Sequence, residues 1–313
     1  MKILFTGASS FSGCWYARRL AEAGHDVTAV LRGPEAAYAD DRRAARLAML
    51  RPLCRCVFET AFSDDAFLKL AGSGFDLFAH HAADVRNYKS PDFDVLAALA
   101  NNTGRLREVL ARLKAGACQR ILLTGTYFES GEGAGETPHR AFSPYALSKH
   151  LTWHMFDYFA TIGGFHLGKF VMPNPFGPLE EPRFTTWLVE QWRAGKTPRV
   201  NTPDYIRDNV PIELLSLCYA QFAAELPATP GVSRSAPSWY VERVEDFARR
   251  FAREIGPRLK LATPLEFGVQ TEFAEPRVRL NSNRPDAGAL GFDEAGAWDR
   301  LADFYTQSVR ATP

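Results

Sequence analysis

The sequence predicts an α/β fold, a doubly wound parallel sheet followed by a smaller, loop-rich C-terminal lobe. Three observations predict it. Short apolar runs recur at 2–5 (KILF), 26–31 (DVTAVL), 54–59 (CRCVFE), 75–83 (FDLFAHHAA), 120–126 (RILLTGT) and 166–173 (HLGKFVMP). Helical stretches at 12–23, 35–51, 91–114 and from 144 onward separate most of them, the alternation expected of parallel strands joined by crossovers. From Asn174 that rhythm is lost among proline-rich turns at 173–182, 198–211 and 227–237. The boundary therefore falls at 173/174, with residues 1–173 as the sheet domain, 174–313 as the lobe, and parts of 200–240 free to return to the first domain.

KILF is short and apolar, as a strand buried on both faces requires. The helix after it ends at Gly24, and DVTAVL is a second buried strand. Residues 35–51 are rich in Ala and Arg and read as helix. The helix at 144 has Ser143 as N-cap and Pro144 as its first residue, the favoured start. Apolar residues at 147, 151, 155 and 158/159 share one of its faces, and Gly163-Gly164 stops it.

Bulk properties narrow the class. With 313 residues, 46% hydrophobic and 23% charged, the chain suits one large or two coupled globular domains. A net charge of +1 without a basic run argues against nucleic acid or an anionic membrane surface as partner. No apolar segment reaches the length of a membrane span. The glycine-containing loop begins by Gly7, which leaves no room for a secretory apolar region. Five cysteines, an odd number without metal-ligand spacing, point to a reduced, cytoplasmic protein with no metal site.

The loop Thr6-Gly-Ala-Ser-Ser-Phe-Ser-Gly13 lies between the first strand and the first helix. That placement makes an anion site, because backbone N–H groups and the positive helix end face a pyrophosphate. Gly7 permits the turn and Gly13 lets the helix approach the sheet, with Ser9, Ser10 and Phe11 between them. Ser10 stands where a dinucleotide loop has a third glycine; it is small, and its hydroxyl could donate to a phosphate oxygen. The second strand ends AVLRG, with Leu31 where an NAD site places a ribose-binding acid and Arg32 next. An arginine suits a 2′-phosphate, so NADP(H) is favoured and NAD(H) is the alternative.

Tyr145 and Lys149 in SPYALSKH lie four apart, on one face of the helix that starts at Pro144. They follow the fifth strand, which carries Thr124 and Thr126 at its end. That order resembles the extended short-chain dehydrogenase/reductase family, whose sheet is a Rossmann sheet and whose members include nucleotide-sugar epimerases, dehydratases and reductases. The resemblance runs along nearly the whole chain. TGASSFSG is similar to the family's TGxxGFxG, and FDLFAHHAA to its strand-four motif, which implies that His80 and Ala82 lie along the cofactor. ANNTGRLREVL resembles the N-x-x-G-T segment, with Asn101 as the structural asparagine. YALSK is similar to YxxxK, MPNPFGP to the N-x-x-G-P turn, YIRDNVPIELL to the RDxxxVxDL stretch, and NRPDAGALGF to the C-terminal segment ending in L-G-[FW].

The resemblance implies Tyr145 as the general acid/base, Lys149 as the residue that favours its phenolate and holds the nicotinamide ribose, and Thr126 as the hydroxyl that binds the reacting oxygen. It implies a loop-rich lobe that binds substrate, with Asn174 and Arg207 contacting a nucleotide-sugar diphosphate. A second diphosphate arginine has no clear counterpart: Glu272 is near that place, and Arg277 and Arg279 follow. Dehydratases of the family carry T-[DE]-E where this chain has Thr126-Tyr127-Phe128, so elimination is disfavoured. What remains is a keto-sugar reductase, favoured by the NADP preference, or an epimerase with resident NAD(P). A reductase of non-sugar carbonyls and a catalytically silent NADP-binding regulator are the other classes, and the regulator is disfavoured because the Tyr-Lys pair is retained. A homodimer through the helices at 91–114 and 144–161 is the family expectation. His150 and His154 lack the glutamate of HExxH and read as packed or dimer-facing.

Overall fold

The computed structural model describes residues 1–310. Seven strands form a parallel sheet: β1 (Lys2–Thr6), β2 (Asp26–Val30), β3 (Arg55–Val57), β4 (Leu77–His80), β5 (Arg120–Thr126), β6 (His166–Met172) and β7 (Gly231–Ser235). Their order is β7-β6-β5-β4-β1-β2-β3. Strand order reverses between β1 and β4, and in such sheets ligands bind beyond the carboxyl ends of the strands at that point. The register supports this placement: Thr6, the last residue of β1, pairs with Val30 on one side and His80 on the other.

Helices cover both faces. α1 (Phe11–Glu22) starts where Ser10 caps it, and α2 (Asp41–Leu50) and α3 (Asp65–Ala71) start on Asp40 and Asp64 in the same way. α4 (Val95–Thr103), α5 (Leu106–Ala115) and α6 (Pro144–Ile162) follow. On one face Leu4, Phe78, Ile121, Leu123 and Leu167 pack against Phe67 of α3, Val109 and Leu113 of α5, and Phe156 of α6. On the other, Phe5 lies against Tyr219, whose ring stacks on Tyr16 of α1 at 4.2 Å. Burying one such aromatic ring stabilises the fold by roughly 1.5–3 kcal/mol.

The chain divides into two compact units, Met1–Gly133 with Pro138–Met172 and Ser216–Ala236, and Ala134–Thr137 with Pro173–Leu215 and Pro237–Pro313. The first holds the seven-stranded sheet. The second has a small sheet of Asn174–Phe176, Ile206–Pro211 and Tyr240–Arg243. Its core joins Phe176, Trp192, Phe247, Phe251, Trp298 and Tyr305.

Several expectations need correction. The helix expected at 35–51 is a 3-10 turn at 35–38 and then α2, because Asp40 supplies a better N-cap and accepts from Arg43 N. The helix expected at 91–114 breaks into α4 and α5 at Gly104, where a Cβ would sit 2.7 Å from Ser63 Oγ. Arg105 there adopts a left-handed conformation with φ of 46°. Helix α3 was not expected. The second unit is less loop-rich than its prolines suggest, since Val244–Leu259 and Glu294–Arg310 form helices of 16 and 17 residues.

Candidate active site

The glycine loop is built by close backbone approach. Gly7 has φ of +82°, and a Cβ there would lie 2.7 Å from Ala82 N; one on Gly13 would lie 2.1 Å from Gly7 O. Only glycine fits either position. The result is a tight cradle at the start of α1, beside the end of β4, which is the kind of surface a pyrophosphate needs. Ser10 departs from expectation. Its hydroxyl donates to Gly7 O at 2.8 Å and accepts from Gly13 N at 3.1 Å. That hydroxyl caps the helix and closes the loop, so its proton is directed to a backbone carbonyl rather than outward. Ser9 is half-buried, and its carbonyl accepts from Arg46 Nη1 at 3.2 Å. Arg46 is 1% exposed and brings a positive charge under the loop, a contribution sequence reasoning missed. Phe11 is buried, whereas Arg32 is exposed just beyond β2 and its side chain makes no ion pair or hydrogen bond among the described residues.

At the end of β4, two histidines lie inside the protein. His80 Nε2 donates to Asn102 O at 3.2 Å, which leaves Nδ1 to accept from the Thr6 hydroxyl at 2.9 Å. Thr6 Oγ1 in turn accepts from Ala82 N. His80 thus braces β1, β4 and α4 from within the sheet. His81, which sequence reasoning passed over, bridges Ser12 Oγ and Thr124 Oγ1, each at 3.0 Å. Burial first, then the Lys149 ammonium, pushes both histidines down to about 3.

The structural asparagine is Asn102, not Asn101. With Ala98 it forms the buried stripe of α4, at i and i+4. It donates from Nδ2 to Thr152 Oγ1 and accepts on Oδ1 from Asp84 N. Asn101 is exposed and donates to Asp84 Oδ2 at 2.9 Å.

Lys149 is 5% exposed, and its ammonium donates to Thr124 O at 2.5 Å. Burial pushes it down to about 8; Glu129 opposes that fall and Lys169 adds to it. A row of contacts therefore runs from Ser12 of α1 through His81 and Thr124 to Lys149 of α6. Tyr145, one turn earlier on α6, is half-buried, and its ring meets Tyr88 and Phe93 edge-on at 5.5 and 5.9 Å. Thr126 is buried; its Oγ1 accepts weakly from Phe128 N at 3.4 Å and its N donates to Glu129 Oε1 at 2.8 Å. Glu129 was missed, yet Lys169 inside an apolar strand was its signal, since a buried ammonium requires a counter-charge.

In the second unit, Asn174 Nδ2 donates to Asn209 Oδ1 at 3.3 Å. Arg207 is 6% exposed and already engaged: Nη1 donates to the carbonyls of Ile206, Pro276 and Arg277, and Nη2 to Glu275 Oε2 at 3.1 Å. Its neighbour Asp208 accepts from Trp239 N and Asn281 N. Of the residues near the second arginine position, Glu272 and Arg277 are exposed and Arg279 is buried. His150 and His154 lie with their Nε2 atoms 3.1 Å apart on α6. Among the described residues no group of three or more His, Cys, Asp or Glu is arranged to hold a metal, and no helix is long and apolar enough to cross a membrane.

Comparison with known proteins bears on the fold and the family. Among solved structures, MoeE5 in complex with UDP-glucose and NAD is 16% identical, with a TM-score of 0.73 over 99% of this chain and 100% of that one. The UDP-glucuronic acid 4-epimerase from Bacillus cereus, in complex with UDP-glucuronic acid and NAD, is 16% identical, with a TM-score of 0.73 over 98% and 100%. DesIV, a dTDP-glucose 4,6-dehydratase from Streptomyces venezuelae with NAD and TYD bound, is 18% identical, with a TM-score of 0.71 over 98% and 97%. These likenesses establish the fold. A search of the curated proteins finds no match. The model of the NAD dependent epimerase/dehydratase family matches residues 3–211, two-thirds of the sequence and every strand of the sheet but β7. The chain therefore belongs to the NAD dependent epimerase/dehydratase family of enzymes, the extended short-chain dehydrogenases/reductases.

Proposed function

We propose that the protein is an NADP(H)-dependent oxidoreductase that transfers a hydride to or from a carbon of a nucleotide-linked sugar, acting as a keto-sugar reductase. The observation that carries this reading is Lys149, a buried ammonium fixed on Thr124 O one helical turn from the half-buried Tyr145. A positive charge one helical turn away favours phenolate over phenol. Tyr145 then gives or takes the proton on the sugar oxygen, and the Thr126 hydroxyl orients that oxygen. The nicotinamide, when bound, supplies the hydride chemistry. The tight turn at Gly7 and Gly13 supports a pyrophosphate site, because a Cβ at either position would strike backbone and open the turn at the start of α1. Arg32, exposed and without a side-chain partner, supports a 2′-phosphate. Asn174 and Arg207 are the proposed diphosphate ligands, and Arg207 would exchange the Glu275 carboxylate for phosphate oxygen.

The comparisons favour a second reading, a nucleotide-sugar epimerase with resident NAD, because the MoeE5 and 4-epimerase structures hold UDP-sugars with NAD. Either enzyme is proposed as a homodimer through α4, α5 and α6. Five free cysteines support a reducing compartment such as the cytoplasm.

Denaturing the purified protein and identifying the released nucleotide separates the two. NADP(H), or an empty site that takes NADPH more tightly than NADH, supports the reductase; retained NAD supports the epimerase. In the loaded enzyme, Tyr145→Phe lowers turnover of UDP- or dTDP-sugars by about 10²–10⁴-fold with cofactor affinity unchanged. Full turnover in that variant, or a protein that binds neither dinucleotide, overturns the proposal.

A further inference from the structure

Beside Thr126 lies a row of charged residues, Glu129, Lys169 and Glu132 buried and Arg234 exposed, that the proposed chemistry does not use. Glu129 is fully buried, and its Oε2 accepts from Lys169 Nζ at 2.6 Å. Lys169 Nζ also meets Glu132 Oε1 at 2.8 Å, and Glu132 Oε2 accepts from Arg234 Nε at 2.8 Å. Lys169 of β6 and Arg234 of β7 are register partners, so the row crosses two strands of the sheet. The Lys169 ammonium lies 4.6 Å from the ring centre of Trp153, which is one turn beyond Lys149 on α6. Gly125 makes room for the pair, since a Cβ there would sit 2.7 Å from Lys169 Cε and 2.8 Å from Glu129 Oε1. Burying two such ions costs several kcal/mol each before pairing, and apolar residues of the same size are often at least as stable. Stability alone is therefore a poor reason for the row. The other end of Glu129 gives a better one, because Oε1 accepts the backbone N–H of Thr126 at 2.8 Å.

We propose that Glu129, clamped by Lys169, is a positioning residue of this site: its Oε1 fixes the turn that presents Thr126, two residues along β5 from the Thr124 carbonyl that holds the Lys149 ammonium. Its part in turnover rests on the acid/base reading of Tyr145 and Lys149; the coupling of Glu129 to Lys149 does not. The charged and titratable groups around Lys149 are few. Glu129 opposes its loss of the proton and Lys169 promotes it. His80 and His81 on the β4 side are neutral above about 3. Tyr145 and His150 share its helix, and His150 also feels Glu129, Lys169 and Glu132. Glu129 is thus the acid whose charge favours the protonated form of Lys149, and its removal has a definite sign.

The test is a pH titration of lysine side chains by ¹³C/¹⁵N NMR on the whole protein, with the Lys149 signal assigned by Lys149→Arg. In Glu129→Gln, which keeps an oxygen for Thr126 N and removes the charge, the Lys149 midpoint falls from about 8 by about one unit. In Glu129→Gln/Lys169→Met both signs are removed and the midpoint returns toward the wild-type value. If the single variant does not fold, Lys169→Met serves with the opposite sign, raising the midpoint. A midpoint unmoved in any folded variant overturns the proposal. Turnover gives the second readout: kcat of Glu129→Gln falls about tenfold, its loss at alkaline pH sets in earlier, and KM for the dinucleotide is unchanged. A uniform fall in kcat with an unshifted pH profile also overturns it. If no sugar nucleotide is turned over, the function proposed above fails while the NMR result still decides this inference.

Discussion

Lys149 shows what a single buried ammonium does to the fold that holds it. Its ordinary value is 10.5 and burial brings it to about 8. Between those two pH values the unfolded chain binds more protons than the folded one, so stability rises with pH across that window. Below pH 8 the whole penalty is present. Lys149→Met removes it and gives up one hydrogen bond to Thr124 O, which leaves a net gain of about 1–2 kcal/mol at pH 7. Urea denaturation should find the Met variant more stable than wild type at pH 7, with no climb between pH 8 and 10.5, although it is inactive. A variant less stable than wild type at pH 7 would mean that the ammonium is better solvated than its 5% exposure implies. The same residue marks how far the sequence could be read. The placement of Tyr145 and Lys149 on one helix was legible because their spacing is local, and the tight turn at Gly7 and Gly13 because one residue type at two positions suffices for it. Glu129 and Lys169 were not, since their meeting depends on a loop folding back onto β6, 40 residues along the chain.

At the scale of elements, the strands were legible from their apolar runs, whereas interruptions between them depended on tertiary contacts. α4 and α5 read as one helix until Ser63, distant in sequence, crowds Gly104 and breaks it. Asn101 and Asn102 show the same limit: which of two adjacent asparagines faces inward is set by the phase of α4, and Ala98 fixes that phase only once it is seen buried. Strand β4 carries the next prediction. His80 and the adjoining His81 move from an ordinary 6.5 to about 3 on folding. Above pH 6.5 both are neutral in either state and their contribution is complete. As the pH falls from 6.5 toward 3, the unfolded chain takes up two protons that the folded one refuses, and stability drops by at most about 2.7 kcal/mol per pH unit. His81→Asn keeps a donor and an acceptor between Ser12 and Thr124. It should cut that slope by half in denaturant titrations at pH 4.5–6.5. An unchanged slope would place the acid sensitivity in the carboxylates instead.

On the scale of the whole molecule, helices α4 and α6 of the first unit carry large apolar side chains that face solvent. Tyr158 and Ile162 on α6 are 64% and 65% exposed, Leu147 and Met155 on the same helix are more than a third exposed, and Leu96 on α4 is 75% exposed. On α6 these residues recur at positions 147, 155, 158 and 162, one side of the helix, and α4 packs against α6. A second copy is the occupant that the proposed homodimer places there, and two such faces must bury on the order of 1,200 Å² or more to hold stably. Tyr158→Glu/Ile162→Glu puts two like charges per chain into that contact, and like charges brought together across an interface cost several kcal/mol. Sedimentation should find the wild type as a dimer and this variant as a monomer. Both substituted positions lie on solvent-facing turns beyond Lys149, so dinucleotide affinity and thermal unfolding of the monomer should stay close to wild type. A wild-type protein that sediments as a monomer at micromolar concentration would leave this face without the partner assigned to it, and the dimer would have to be given up while the chemistry at Tyr145 stood untouched.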